Sequence, residues 1–216
     1  MKSLALFFSL LITTLFTHCN RDPYTYALIH TDYGDMKVKL YNTTPQHRDN
    51  FVKLIKEGYY DDLLFHRVIN GFMIQGGDPQ SINAPAGAHL GSGGPGYTVP
   101  AEIGRYHFKG ALAAARTGGP SNPKKASSGS QFYIVQGRPV SEGQLKMMEQ
   151  KKGIKYTPED IKRYKEQGGT PFLDNDYTVF GEVIEGLEVI DKIAQVQTGE
   201  ADRPVKDVKM KIELVK

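Results

Sequence analysis

The chain has 216 residues, 39% hydrophobic and 24% charged, enough for one globular core and incompatible with a disordered or collagen-like chain. Lys and Arg (27) barely exceed Asp and Glu (24), so no strong field for nucleic acid or another polyanion is built in. A single cysteine, Cys19, excludes an internal disulfide and a Cys-rich zinc site, while 23 Gly and 12 Pro favour a turn-rich β protein; Trp is absent.

Residues 4–16 (LALFFSLLITTLF) form an apolar run behind Lys2. As a helix the run would reach about 20 Å, short of a hydrocarbon core of roughly 30 Å, so it predicts an export signal and not a membrane span. The position of Cys19 resembles a bacterial lipoprotein signal, in which the Cys is lipidated and becomes the new N-terminus. Phe16 and His18 depart from that pattern, and an ordinary cleaved signal with an incidental Cys is the alternative. The chain thus divides into a signal (1–18), a short tether (19–23) and a folded domain (24–216). The product is expected to be exported and anchored at a bacterial membrane facing the periplasm, touching lipid only through the anchor. A soluble periplasmic or secreted form is the alternative.

Segments 24–30 and 35–41 are strand-like and flank Thr31-Asp32-Tyr33-Gly34, a hairpin signal; Met36, Val38 and Leu40 alternate with Lys37 and Lys39. Thr44-Pro45 opens a helix, with Thr44 as N-cap, Phe51, Leu54 and Ile55 on one face and Gly58 at its end. Further strands are predicted over 64–68, 72–75, 97–99, 111–115, 132–136 and 178–183, a second helix over 187–194, and a closing strand over 205–215. Short strands, Gly-rich turns and two separated helices predict a mainly β fold, a closed barrel with a helix over each mouth. A helical hairpin interrupts it at about 141–170. Ser141 with Gln144, and Thr157-Pro158 with Asp160, are two strong helix starts. This insert reads either as a solvated appendage or as a docking surface for a partner.

Several motif matches carry no chemistry. Gly91-Ser92-Gly93-Gly94-Pro95-Gly96 satisfies the dinucleotide-binding string, but Pro95 lacks an N–H and a strand follows where a helix is required, leaving a flexible loop. The six histidines have no i,i+4 pair, so no metal site is expected, and no G-x-S-x-G elbow exists. What remains is FHRVINGFMIQGGD (65–78), where strand alternation places Phe65, Arg67 and Ile69 on one face and Gln75 on a strand close by. Arg67 is a cation among Phe65, Val68, Phe72 and Met73, costly unless paired or working. A second cluster, SGSQFYIV (128–135), puts Gln131 and Tyr133 on one face. A third runs from Phe172-Leu173-Asp174 through Tyr177 into DYTVFGEV (176–183) and GLEVIDKI (186–193).

In this order the three clusters resemble the cyclophilin family of peptidyl-prolyl cis–trans isomerases, from about residue 24 to 214 with the insert as interruption. The resemblance implies a closed eight-stranded antiparallel barrel capped by two α-helices, with no cofactor and no metal. It implies Arg67 as the catalytic arginine, with Gln75 and Gln131 as hydrogen-bonding groups. Phe72, Met73, Tyr133, Leu173 and Tyr177 fall on the proline-holding pocket, and Ala115 and Arg116 on the peptide groove. Four positions depart from the family: Phe172 stands where Trp is common, Tyr177 for His, Tyr133 for Phe and Arg116 for Asn, which bears on substrate preference and on sensitivity to cyclosporin-type inhibitors. The expected activity is acceleration of X–Pro rotation in exported or unfolded proteins, by a monomer acting on proline-containing polypeptides. The rival is a proline-peptide binding module or holdase chaperone working through the 141–170 insert.

Overall fold

In the computed structural model, whose described residues are 24–215, the alternation of Met36, Val38 and Leu40 with two lysines becomes strand β2 (Gly34–Leu40), paired as a hairpin with β1 (Thr25–Thr31). The three apolar side chains are fully buried and the lysines partly exposed, as one wetted face requires. The expected signal, the tether and Cys19 lie outside the described residues, and among those described no helix is long and apolar enough to cross a membrane.

Helix α1 (Pro45–Lys56) follows, burying His47, Phe51, Leu54 and Ile55. Thr44 occupies the N-cap position, but its hydroxyl donates to the Tyr41 carbonyl and does not cap the helix. The free amides of the first turn are satisfied by Glu102, whose carboxylate accepts from the N–H groups of Gln46 (3.1 Å) and His47 (3.0 Å).

The remaining strands are β3 (Leu63–Leu64), β4 (Arg67–Ile69), β5 (Met73–Gly76), β6 (Thr98–Val99), β7 (Ala111–Ala114), β8 (Ser127–Ser128), β9 (Phe132–Val135), β10 (Val179–Glu185) and β11 (Lys209–Val215). Nine of the eleven strands form one antiparallel sheet in the order β3-β11-β1-β2-β10-β7-β9-β5-β4; β6 and β8 pair separately. The expected mainly β, closed eight-stranded barrel is therefore a curled nine-stranded sheet in a mixed α/β fold with four helices. The correction originates at Phe65-His66. Phe65 and Val68 both enter the main core, a spacing of three that a strand of period two cannot produce. The chain breaks there into β3 and β4, which lie at opposite ends of the sheet and are joined by two residues of chain, not by a ladder. For the same reason Phe65 does not share a face with Arg67.

The main core lies inside the curl, where Ile29, Val38, Ile74, Leu112 and Phe132 meet α1 and Val189, Ile190 and Ile193 of α4 (Leu187–Ala194). Because β9 sends Phe132 and Ile134 inward and Tyr133 and Val135 outward, its outer face needs a cover of its own. A second cluster supplies it, with Met73, Ala113, Leu173 and Val179 buried and Phe72 and Tyr177 at its edge.

The insert forms α2 (Glu142–Lys152) and α3 (Pro158–Glu166), each starting with a complete capping box, Ser141 with Gln144 and Thr157 with Asp160. It is no solvated appendage on its inner side. Leu145, Tyr156 and Tyr164 are buried in a third cluster with Val140, against Tyr106 and Phe108 of the main body. Close approach of two backbones makes the junction: a Cβ on Gly137 would lie 2.5 Å from the Gly169 Cα, and one on Gly169 would lie 2.3 Å from the His107 carbonyl oxygen.

Candidate active site

Register brings the motif residues together. Arg67 on β4 lies opposite Gln75 on β5, Gln75 opposite Tyr133 on β9, and Tyr133 opposite Ala113 on β7, so Arg67, Gln75 and Tyr133 form one transverse row. An Arg67 Nη1–H points to Gln75 Oε1 at 3.5 Å, Gln75 Nε2 donates to Gln131 Oε1 at 3.1 Å, and Gln131 Nε2 donates to the Gly93 carbonyl at 2.7 Å. Each amide accepts on one side and donates on the other, so the polarity of this chain is self-consistent.

Arg67 is not immersed among apolar groups. Its side chain is 41% exposed, and its Nε–H donates to Asp202 at 3.2 Å. Asp202 was absent from the sequence-derived site. It sits on a short turn where Ala201 and Asp202 both adopt left-handed backbone angles (φ 55° and 60°), and no local pattern links it to Arg67, 135 residues away.

The apolar positions gather beside this row. Met73, Leu173 and Tyr133 are buried, and the Tyr177 ring stands perpendicular to Tyr133 with centroids 5.9 Å apart. Phe72 packs on Phe172 at 5.4 Å, and Phe172 is half exposed. The Arg116 guanidinium covers the Tyr177 ring at 4.4 Å while its Nε–H donates to the Asp176 carbonyl. Ala115 is next to Gln131, whose carbonyl accepts the Ala115 N–H at 2.9 Å. An open groove of about 910 Å³ is lined by Gln75, Gln131, Ala115 and Arg116 together with Gly91–Gly94 and Gly96–Thr98 of the glycine-rich loop. The glycine-rich loop dismissed as a phosphate cradle is thus a groove wall. It is also not free: the N–H groups of Gly91 and Gly93 are spent on the Asp78 carboxylate. Among the described residues no group of three or more His, Cys, Asp or Glu side chains is placed to hold a metal.

His66, beside Arg67, is buried, and burial pushes its imidazole down to about 4 although the Asp78 charge opposes this. The unfolded chain takes up that proton near pH 6.5 and the folded protein only near pH 4. Stability from the neutral ring is therefore complete above pH 6.5 and is lost as pH falls toward 4, by about 3 kcal/mol. Urea unfolding between pH 7 and 4 is expected to record this loss, with a shallower slope in His66→Gln; parallel slopes would contradict it.

A curled antiparallel sheet carries one paired cation and an amide relay, with an open groove and a cluster of packed apolar and aromatic side chains nearby. Residues 26–213 match the family model of cyclophilin-type peptidyl-prolyl cis-trans isomerases. A Staphylococcus epidermidis protein named "Putative peptidyl-prolyl cis-trans isomerase" is 39% identical over 183 residues, spanning 84% of this chain and 87% of the relative; one of the same name from Staphylococcus aureus is 38% identical over the same shares. The crystal structure of a Cryptosporidium parvum cyclophilin-type isomerase superposes with a TM-score of 0.64 at 26% identity, covering 89% of this chain and 98% of the other. A second structure of that protein, determined in the presence of the dipeptide Ala-Pro, matches with a TM-score of 0.62. The chain belongs to the cyclophilin family and is a peptidyl-prolyl cis-trans isomerase of that type.

Proposed function

We propose that the groove binds proline-containing stretches of unfolded or extended polypeptides and that Arg67 is the catalytic residue. The observation carrying this reading is the row Arg67–Gln75–Tyr133, with Gln131 behind it, running alongside the apolar cluster of Met73, Leu173, Phe72 and Tyr177. Resonance holds the X–Pro bond planar behind a barrier of roughly 18–20 kcal/mol. Twisting the bond localises a lone pair on the proline nitrogen, and an N–H of Arg67 directed there stabilises the twisted state more than the planar one. No covalent bond changes, so no nucleophile or general base is called for. Met73, Leu173, Phe72 and Tyr133 hold the pyrrolidine ring while the preceding residue rotates. The Gln75–Gln131 relay fixes the guanidinium and offers amide groups to the substrate backbone. Ala115, Arg116, Phe172 and Tyr177 line the path of the flanking residues. The Ala-Pro dipeptide used with the Cryptosporidium relative supports proline as the recognised residue. Cis–trans exchange of an X–Pro peptide, with and without Arg67→Ala, tests the assignment.

The apolar run over 4–16 and the position of Cys19 support an exported protein, anchored through Cys19 and facing the periplasm. A mature chain that begins at Cys19 and carries the added mass of acyl chains is the expected result. An unmodified N-terminus at another residue would remove the anchor and leave a soluble exported protein. The rival holdase reading has less support, because Leu145, Tyr156 and Tyr164 of the insert are committed to the main body.

A further inference from the structure

The insert reaches the pocket through buried polar atoms. Asp174, directly after the pocket residue Leu173, is fully buried, and its carboxylate accepts four hydrogen bonds. Oδ1 accepts from the His107 backbone N–H at 2.8 Å and from Nδ1 of the same residue at 2.9 Å. Oδ2 accepts from the hydroxyls of Tyr156 (2.7 Å) and Tyr164 (2.6 Å), both contributed by the insert. Burial, and after it the Asp174 charge, pushes both phenols far above their usual range, so they remain O–H donors.

A carboxylate can only accept, so the His107 proton sits on Nδ1. The other ring nitrogen, Nε2, shares a hydrogen bond with the Tyr133 hydroxyl across 3.0 Å. The hydroxyl of Tyr133 is thereby committed to His107, and its ring is held nearly parallel to the His107 ring (10° between planes). A tyrosine at this position needs such a partner, since a buried hydroxyl without one is costly. Other contacts tie the insert to the same wall. Lys152 pairs with Asp176, the residue before Tyr177, and Arg163 pairs with Glu182 at 3.0 Å. The Thr170 N–H donates to the His107 carbonyl at 2.8 Å.

We infer that the insert is a positioning element of the isomerase site: the hydroxyls of Tyr156 and Tyr164 hold Asp174 and, through His107, fix the ring of Tyr133 against the bound proline. This rests on the reading of Tyr133 as part of the proline pocket. Tyr156, Tyr164, Asp174 and His107 are positioning residues, since none lines the groove.

The test uses the full chain and NMR exchange of an Ala-Pro tetrapeptide, which separates KM from kcat. Tyr164→Phe is expected to raise KM about five-fold with less than about a two-fold change in kcat. In a Tyr133→Phe background, where the relay has lost its last member, the same substitution is expected to act at least about three-fold more weakly. An equal factor in both backgrounds, or an unchanged KM in folded Tyr164→Phe, would overturn the inference; Tyr156→Phe, which removes the other donor to Oδ2, serves if Tyr164→Phe does not fold. The ring 15N shifts of His107 report the relay without reference to activity. They are expected to move in Tyr164→Phe, and unmoved shifts would overturn it. If the wild-type chain fails to exchange the peptide, the pocket reading fails instead, and the His107 shifts still judge the relay.

Discussion

Arg67→Ala is expected to lower kcat/KM for X–Pro exchange by about 10²- to 10³-fold, corresponding to about 3–4 kcal/mol of transition-state stabilisation from one pre-oriented donor. Bringing a process of about 100 s down to about 1 ms takes about 7 kcal/mol, so this donor supplies around half and orientation in the pocket the rest. The loss is not expected to come with unfolding. The Arg67 side chain is 41% exposed and its partner Asp202 46% exposed, and ion pairs in such settings contribute about 0–1 kcal/mol. Arg67→Lys is expected to recover little, since an ammonium keeps the charge but cannot both bond Asp202 and Gln75 in the guanidinium plane and present a further N–H. NMR exchange on the three proteins, with urea unfolding as control, measures this. Equal, substantial rates in wild type and Arg67→Ala would remove Arg67 from the mechanism.

The largest loss of stability is expected at Asp174. Asp174→Ala leaves two tyrosine hydroxyls, an imidazole N–H and a backbone N–H buried without their acceptor. Each buried unsatisfied group costs about 1–3 kcal/mol, and partial relaxation brings the sum to about 4–5 kcal/mol. That is a large part of the 5–15 kcal/mol typical of a folded domain, so the variant is expected to be marginally folded at 25 °C. Asp174→Asn preserves the volume and one acceptor oxygen and is expected to cost about half as much. Urea midpoints read both values; a loss under about 1 kcal/mol in Asp174→Ala would show that the four contacts do not bear on stability.

The fold and site were legible in the sequence to different depths. Helices α2 and α3 were readable because a capping box is a contact between residues three apart, and α1 and α4 because their apolar faces recur on the helical period. The hairpin of β1 and β2 was readable from alternation about a short turn. Arg67, Gln75 and Gln131 stand out only through family motifs, and the structure adds their register and the relay between them. The break at Phe65-His66 was not readable, because an apolar run looks the same whether its residues point to one core or to two. The cap of α1 by Glu102 was equally hidden, since its donors stand 55 and 56 residues away.

By itself the sequence determined the family, the isomerase activity that goes with it, the four helices and the first hairpin, and the presence of a helical insert. These follow from contacts between near neighbours or from a motif that is local in the chain. Only the tertiary structure decided that Asp202 holds Arg67, that the glycine-rich loop is pinned to Asp78 as a groove wall, and that the insert is wired through Asp174 and His107 to Tyr133. Each of these depends on groups brought together by sheet curvature and burial. A buried polar atom must find its partner wherever the fold provides one, and sequence distance does not limit that choice.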